Sequence, residues 1–457
     1  MVGTSSKQDT FWNPSTDSGT LSLMSFPHLQ KTDPAVFAAL TGEMGRQRDG
    51  LELIASENYV SEAVLEALGT IFTNKYSEGY PGRRYYAGQE FTDQVEQLAI
   101  DRAKALFGSD HANVQPLSGA AANIATYFAW LEPGDTVLGM DLSHGGHLTH
   151  GSPVTYMSKL YKFVRYGIAD VATGRIDYDA LRETAKKERP KIILAGFSAY
   201  PRQLDFAVIK SIADEVGAVA MADMAHVAGL IAGKALRNPL DDGFQIMTTT
   251  THKTLRGPRG AMILSKGTVG NPLKAPEKTI DNLPTLIDRS VFPGFQGGPH
   301  MHQTAAIAVA LLEASQPAFQ AYAKQVLKNA TQLAESLMER GCSLVTGGTD
   351  NHLMVVDCMK SWQIDGSEAD KVLDLAGITA SKSTIPDDPL PPYKPSGLRI
   401  GTPAITTRGM KEGEMKTLAG FICQAIEKRG DADALKKLHA EVTAFCQPFP
   451  VPGIPSL

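Results

Sequence analysis

The chain is predicted to be an α/β protein, and three observations carry that prediction. Short apolar runs recur through its middle without alternation, at 137–140, 191–195, 218–222 and 244–251. Strands buried on both faces of a parallel sheet have this character, because neither face meets water. Between them lie helix-length stretches such as 205–216, with Asp205 placed to cap the amino end and Gly217 to stop it. Polar residues also gather where the apolar runs stop, at Asp141, Ser198, Asp223 and Thr250 to Lys253. Those positions are the carboxyl ends of strands, where open α/β sheets collect their chemistry.

Bulk properties narrow the function classes. The 457 residues carry 44 Lys and Arg against 49 Asp and Glu, a net charge of −5, with 43% hydrophobic and 20% charged residues. That composition supports an ordinary core and, at roughly 100–200 residues per domain, two or three domains. A membrane helix needs roughly 18 apolar residues, and the run at 305–312 stops at Glu313. Basic residues form no stripe, so neither a membrane nor a nucleic acid is expected as partner. The first thirty residues lack the apolar core of a secretory leader and have no Arg before Arg46. Four cysteines, Cys342, Cys358, Cys423 and Cys446, show no Cys-x-x-Cys spacing, which fits a reducing cytoplasm.

In chain order, residues 1–30 form a polar extension rich in Ser and Thr, with folding expected from about Asp33. Helical spacing runs from Asp93 to Phe107, and Gly108 stands at its carboxyl cap. The strand candidates above follow and complete a large unit, 31–312. From about Gln303 a long helical pattern passes through Pro317, which should break or kink it, and resumes to Gly341. Strand candidates at 343–345, 353–356 and 397–400 alternate with helices in a smaller α+β unit, 313–457, in which 386–395, with five prolines, is a loop.

Nucleotide signatures fail: Gly229-Leu-Ile-Ala-Gly-Lys234 lacks the spacing and the Ser/Thr of a phosphate-binding loop, and no Gly-x-Gly-x-x-Gly opens a helix. His144, His147 and His150 recur at intervals of three and suggest a metal centre, although no His-Glu-x-x-His accompanies them. The glycines between them, Gly145 and Gly146, favour close approach of backbone to an organic ligand instead. The stretch from Thr248 to Gly260 is more specific. A β-branched strand there delivers Lys253 beside His252, Arg256 and Arg259. Desolvation and neighbouring positive charge lower an ammonium pKa, as Schiff-base chemistry requires. Asp223, at the end of the preceding strand, is the kind of carboxylate that keeps a pyridine nitrogen protonated. Together the two suggest a pyridoxal phosphate enzyme.

At these residues the chain resembles the serine hydroxymethyltransferase family, from about Asp33 to the last helix. The resemblance rests on Leu53-Ile-Ala-Ser-Glu-Asn58, Asn74-Lys-Tyr-Ser-Glu-Gly-Tyr-Pro-Gly82, Arg84-Tyr-Tyr86, Gly145-Gly-His-Leu-Thr-His-Gly151, Thr248 to Gly260, and Arg399-Ile-Gly-Thr-Pro-Ala404. It implies a large domain with a mostly parallel seven-stranded sheet, of the aspartate aminotransferase-like type (pyridoxal phosphate fold type I), and the smaller carboxyl-terminal domain. By similarity, Lys253 holds pyridoxal 5'-phosphate as a Schiff base, Asp223 pairs with the ring nitrogen and His147 stacks on the ring. Ser198 and His226 would contact the ring hydroxyl, while Gly119, Ala120 and His252 would face the phosphate. Gly297 and Gly298 look like a phosphate contact lent by a second subunit, which implies a homodimer or a dimer of dimers.

The same resemblance gives Arg399 the substrate carboxylate, with Ser56 holding the amino acid and Tyr76 and Tyr86 lining the site. Glu78 would be the acid/base group, and Thr250 joins Lys253, Tyr76 and His147 among the catalytic candidates. Leu142, Gly146, Leu148, Tyr85, Glu78 and Ser383 match folate-facing positions. The implied reaction moves the hydroxymethyl carbon of serine to tetrahydrofolate, leaving glycine and 5,10-methylenetetrahydrofolate. Three departures stand out: Ala120 replaces a phosphate-binding Ser, Ser383 replaces an Asn, and an insertion spans 270–287. Ser383 motivates an alternative, a folate-independent aldolase on threonine-like or α-methylated serines. The rival of a different class is a His-based metalloenzyme.

Overall fold

The structure is a computed structural model that describes residues 26–267 and 283–455. The extension up to residue 25 and residues 270–282 of the insertion lie outside the described residues. The seven strands of the main sheet follow the order His111–Asn113, Ala261–Ser265, Ile246–Thr250, Val219–Asp223, Ile192–Gly196, Thr136–Met140, Lys162–Tyr166. From Ile246–Thr250 to Lys162–Tyr166 every pairing is parallel, and Ala261–Ser265 runs antiparallel to both its neighbours. This is the seven-stranded, mostly parallel sheet that the resemblance implies. The four apolar runs are its central strands. Lys162–Tyr166 has only one fully buried residue, because an edge strand is not covered on both sides, and so it lacks the apolar signature.

Local chemistry sets the crossovers. Asp205 accepts the Val208 amide at 3.0 Å and caps Phe206–Val216, and Gly217 ends that helix at φ 71. Glu90–Phe107 likewise ends on Gly108 at φ 66. The long carboxyl-terminal pattern is two helices, Met301–Ala314 and Pro317–Glu339, with Pro317 in the first turn of the second. Its missing N–H costs nothing there. A helix at Pro27–Thr32 precedes the expected starting point.

Pro317–Glu339 spans two cores. Phe319, Tyr322, Ala323 and Val326 pack with the main sheet, whereas Ala330, Leu333, Ala334 and Leu337 belong to a second core. That core covers an antiparallel sheet of Leu353–Asp357, Gly397–Gly401 and Ser381–Ser383. It also takes in Leu51 and Leu53 from the amino-terminal part of the chain, where Leu51–Glu52 pairs in parallel with Ile378–Thr379. The expected strand at 343–345 is not one: Leu344 makes a single bridge to Val356, and the chain turns at Thr346, whose φ is 68. No described helix is long and apolar enough to cross a membrane.

Candidate active site

Parallel strands end together, so the polar residues that follow them share one basin. Asp223 closes its strand level with Gly196 on one side and Thr248 on the other. Its Oδ2 accepts from Asn123 Nδ2 at 2.7 Å and from His150 Nε2 at 3.1 Å, and its Oδ1 accepts the Ala225 amide at 3.1 Å. A carboxylate offers about four acceptor positions, so one remains for an incoming N–H. Burial alone would raise the Asp223 pKa. The hydrogen bonds from His150 and Asn123 outweigh it and hold the carboxyl below its usual range. Asn123 is itself oriented, because its Oδ1 accepts from Thr248 Oγ1 at 2.7 Å.

Lys253 lies three residues beyond Thr250 in the same basin. Burial lowers its ammonium to about 8, against the pull of Asp223 and with the help of Arg399 and Arg259. Asn58 Nδ2 donates to the Lys253 carbonyl at 3.0 Å and to Tyr322 Oη at 2.8 Å, which fixes the lysine's backbone. Arg399 donates from Nη1 to the Ser198 carbonyl at 2.8 Å and from Nε to Ser381 Oγ at 3.3 Å. Burial lowers it to about 10, and among the described residues no carboxylate forms an ion pair with it. A desolvated guanidinium with a free prong is suited to a bound carboxylate.

Neutral histidines surround these charges. Burial takes His147 down to about 4 and His252 to about 3. An uncharged His147 presents a flat face suited to an aromatic ring. His226 Nδ1 lies 3.2 Å from His352 Nε2, and burial takes His226 well below its ordinary value. The amino end of the helix Gly119–Trp130 also points into this region. Ser118 caps Ala121 and Ala122 there, leaving the amides of Gly119 and Ala120 without partners inside the helix. Such an end binds anions. A side chain at Gly119 would meet Thr250 Cγ2 at 2.9 Å, and His252 Nδ1 is buried without a hydrogen-bond partner. Together these residues fit a phosphorylated pyridine aldehyde: a basic amine, a ring-nitrogen partner, a flat neighbour and an anion cradle.

A second group gathers on a hairpin, Gly79–Tyr80 with Arg83–Arg84. Tyr76 donates to Glu78 Oε1 at 3.3 Å and meets the Tyr86 ring edge-on at 5.5 Å, while Tyr85 packs against Phe292 at 5.7 Å. Gly297 and Gly298 lie against this same group, and a side chain at Gly298 would meet the Tyr76 ring at 3.3 Å. Tyr76, Tyr85 and Tyr86 are exposed at 57%, 74% and 50%, in contrast to the basin.

Other predicted residues take their own positions. Leu142 and Leu148 are partly exposed, Ser56 is half-buried, and Ser383 donates to the Thr384 carbonyl at 3.1 Å. The Thr250 hydroxyl donates to the Ala225 carbonyl at 3.2 Å. Gly145 and Gly146 pack tightly against the chain: added side chains would strike the Tyr200 amide at 2.6 Å and the Met140 carbonyl at 2.2 Å. The histidine trio separates too. His144 Nδ1 accepts the Ile168 amide at 2.9 Å, leaving His147, His150 and Asp223 within 4.8 Å of one another. In His150, Nδ1 accepts the His147 amide at 3.1 Å, so Nε2 carries the proton given to Asp223 and offers a metal no lone pair. Asn58, Asn123 and His352 were missed as site residues. Asn58 sits inside a motif already singled out, but Asn123 and His352 carry no local signal.

Fold and site together define an α/β enzyme built around a lysine, a pinned carboxylate and an unpaired arginine, the equipment of pyridoxal phosphate chemistry on amino acids. The profile of the serine hydroxymethyltransferase family matches residues 29–422. A serine hydroxymethyltransferase of Acidobacterium capsulatum is 53% identical over 425 residues, covering 93% of this chain and 96% of that one. The chain belongs to the serine hydroxymethyltransferase family, and its activity is that of a serine hydroxymethyltransferase. The family implies dependence on pyridoxal phosphate.

Proposed function

We propose that the chain transfers the hydroxymethyl carbon of serine reversibly to tetrahydrofolate, giving glycine and 5,10-methylenetetrahydrofolate, with pyridoxal phosphate covalently on Lys253. The observation that carries this reading is one buried basin holding a lysine lowered to about 8 beside a carboxylate kept ionised by Asn123 and His150. When bound, the cofactor supplies an electron sink for bonds broken at the substrate's α-carbon.

The chain's residues do the rest. Asp223 keeps a proton on the ring nitrogen, and neutral His147 stacks against the ring. Ser198 and His226 meet the ring hydroxyl, while the Gly119 and Ala120 amides and His252 hold the phosphate. Arg399 grips the substrate carboxylate in a two-pronged contact, and Ser56 and Tyr86 confine the amino acid. That fixed orientation would decide which bond at the α-carbon is broken. Glu78 exchanges a proton with the serine hydroxyl oxygen, and Leu142, Leu148 and Tyr85 bound the folate.

The exposed Tyr76, grouped with Glu78, Gly297 and Gly298, supports a site completed by a second copy. The working unit is then a homodimer or a dimer of dimers. The two cores meeting along Pro317–Glu339 support a large unit, 31–312, and a small one, 313–457.

Two measurements test this reading. Lys253→Ala titrated with pyridoxal phosphate should develop no visible Schiff-base band, and a band equal to that of the unaltered chain would refute the assignment. Serine cleavage should require tetrahydrofolate; equal rates without it would favour the folate-independent aldolase.

A further inference from the structure

Glu78 is half-buried at the foot of the hairpin, and the backbone that carries it is tied down at every step. The Tyr76 carbonyl accepts from Gln89 Nε2 at 3.0 Å, the Ser77 carbonyl from Arg84 Nη1 at 2.9 Å, and the Glu78 carbonyl from the Tyr85 amide at 3.1 Å. The Gly79 carbonyl accepts both Arg84 Nη1 at 3.0 Å and Gln115 Nε2 at 2.9 Å. One guanidinium nitrogen therefore brackets Glu78 on both sides. Arg84 is held in turn by Asp93 at 2.8 Å and Glu96 at 2.7 Å, and Gln115 also reaches Glu96 at 2.7 Å. The Arg84 and Glu96 side chains are 3% and 1% exposed. Gly79, at φ 97, lets the hairpin close, since a side chain there would strike the Arg83 carbonyl at 2.3 Å.

A buried ion pair is weak support for stability, because apolar replacements often do as well. What this one supplies is geometry. Its donors converge on the two carbonyls flanking the acid/base candidate, and its acceptors leave the guanidinium no other orientation. We propose that Arg84, fixed by Glu96 and Gln115, is a positioning residue that aims the Glu78 carboxyl at the reacting hydroxymethyl group. This rests on the acid/base reading of Glu78 given above. Lysine at this position keeps the charge but cannot bracket two carbonyls while pairing with two carboxylates.

The test combines Arg84→Lys, Glu78→Gln and the double variant, all as holoenzyme. Misplacing a catalytic group by about 1 Å can cost about 10²-fold in rate, so Arg84→Lys should lower kcat for folate-dependent serine cleavage by about 10- to 100-fold. The serine KM should move less than about twofold, because Arg399 still holds the carboxylate. The visible band and the oligomer size should stay as they are, and amide exchange across 76–86 should accelerate. In the Glu78→Gln background, Arg84→Lys should add less than about twofold. Gln115→Met, which removes one donor and no charge, should repeat the pattern more weakly and covers the case in which Arg84→Lys does not fold. Losses that multiply in the double variant, or that track loss of the oligomer, would overturn the positioning role alone. A Glu78→Gln chain with undiminished cleavage would instead overturn the acid/base reading.

Discussion

The strand-end basin and the Tyr76–Glu78 hairpin are built on opposite plans. In the basin the key side chains are buried and held within one chain: Asp223 has three donors and His150 uses both ring nitrogens. In the hairpin the backbone is pinned while the tyrosines around Glu78 face outward, with Tyr76 57% exposed. The basin is polarised in advance for a cofactor. The hairpin is rigid but unfinished, which is the arrangement expected of a surface that serves a neighbouring site.

Substitutions should divide along the same line. Asp223→Asn removes the charge that keeps the ring nitrogen protonated, and cleavage should fall by about 10³-fold or more, with an altered visible spectrum. Glu78→Gln should lower cleavage while leaving the spectrum and cofactor affinity unchanged. Spectral change from the hairpin variant would break the division. Arg399→Lys should raise the serine KM by about 10- to 100-fold, since a lysine cannot make the two-pronged contact, with a smaller effect on the spectrum.

The smallest expected effect is on pH dependence of stability, and it belongs to the basin. Burial lowers His147 to about 4 and both His252 and His352 to about 3. Below an unfolded pKa of about 6.5 the unfolded chain takes up protons that the folded chain refuses, so stability is lost as pH falls from about 6.5 toward 4. Thermal unfolding of the cofactor-free protein should show Tm dropping through that window. Replacing His352 by Gln should flatten the drop.

What was legible from sequence was what is local. Asp223 ends a buried strand and Lys253 follows the end of another, so an apolar run and the polar residues after it suffice to find them. Their supports come from afar: Asn123 meets Asp223 across 100 positions, and Arg399 meets Ser198 across 201. Only folding brings such pairs together. Lys162–Tyr166 escaped because an edge strand need not be apolar, and 343–345 misled because an apolar pair there turns at Thr346 instead of extending. Gly145 and Gly146 carry a packing demand that the sequence does not announce, since side chains there would strike Tyr200 and Met140. The type of residue was informative; what it would touch was not.

The central claim is that the basin of one copy is completed by the hairpin of another. It is tested most directly by dissociating and remixing two inactive variants, Lys253→Ala and Glu78→Gln, in equal amounts. Random pairing makes half the dimers hybrid, and each hybrid holds one site with both residues intact, so about a quarter of the unaltered activity should return. If the mixture shows no more activity than its two parents, each site draws Lys253 and Glu78 from a single chain, and the account is wrong.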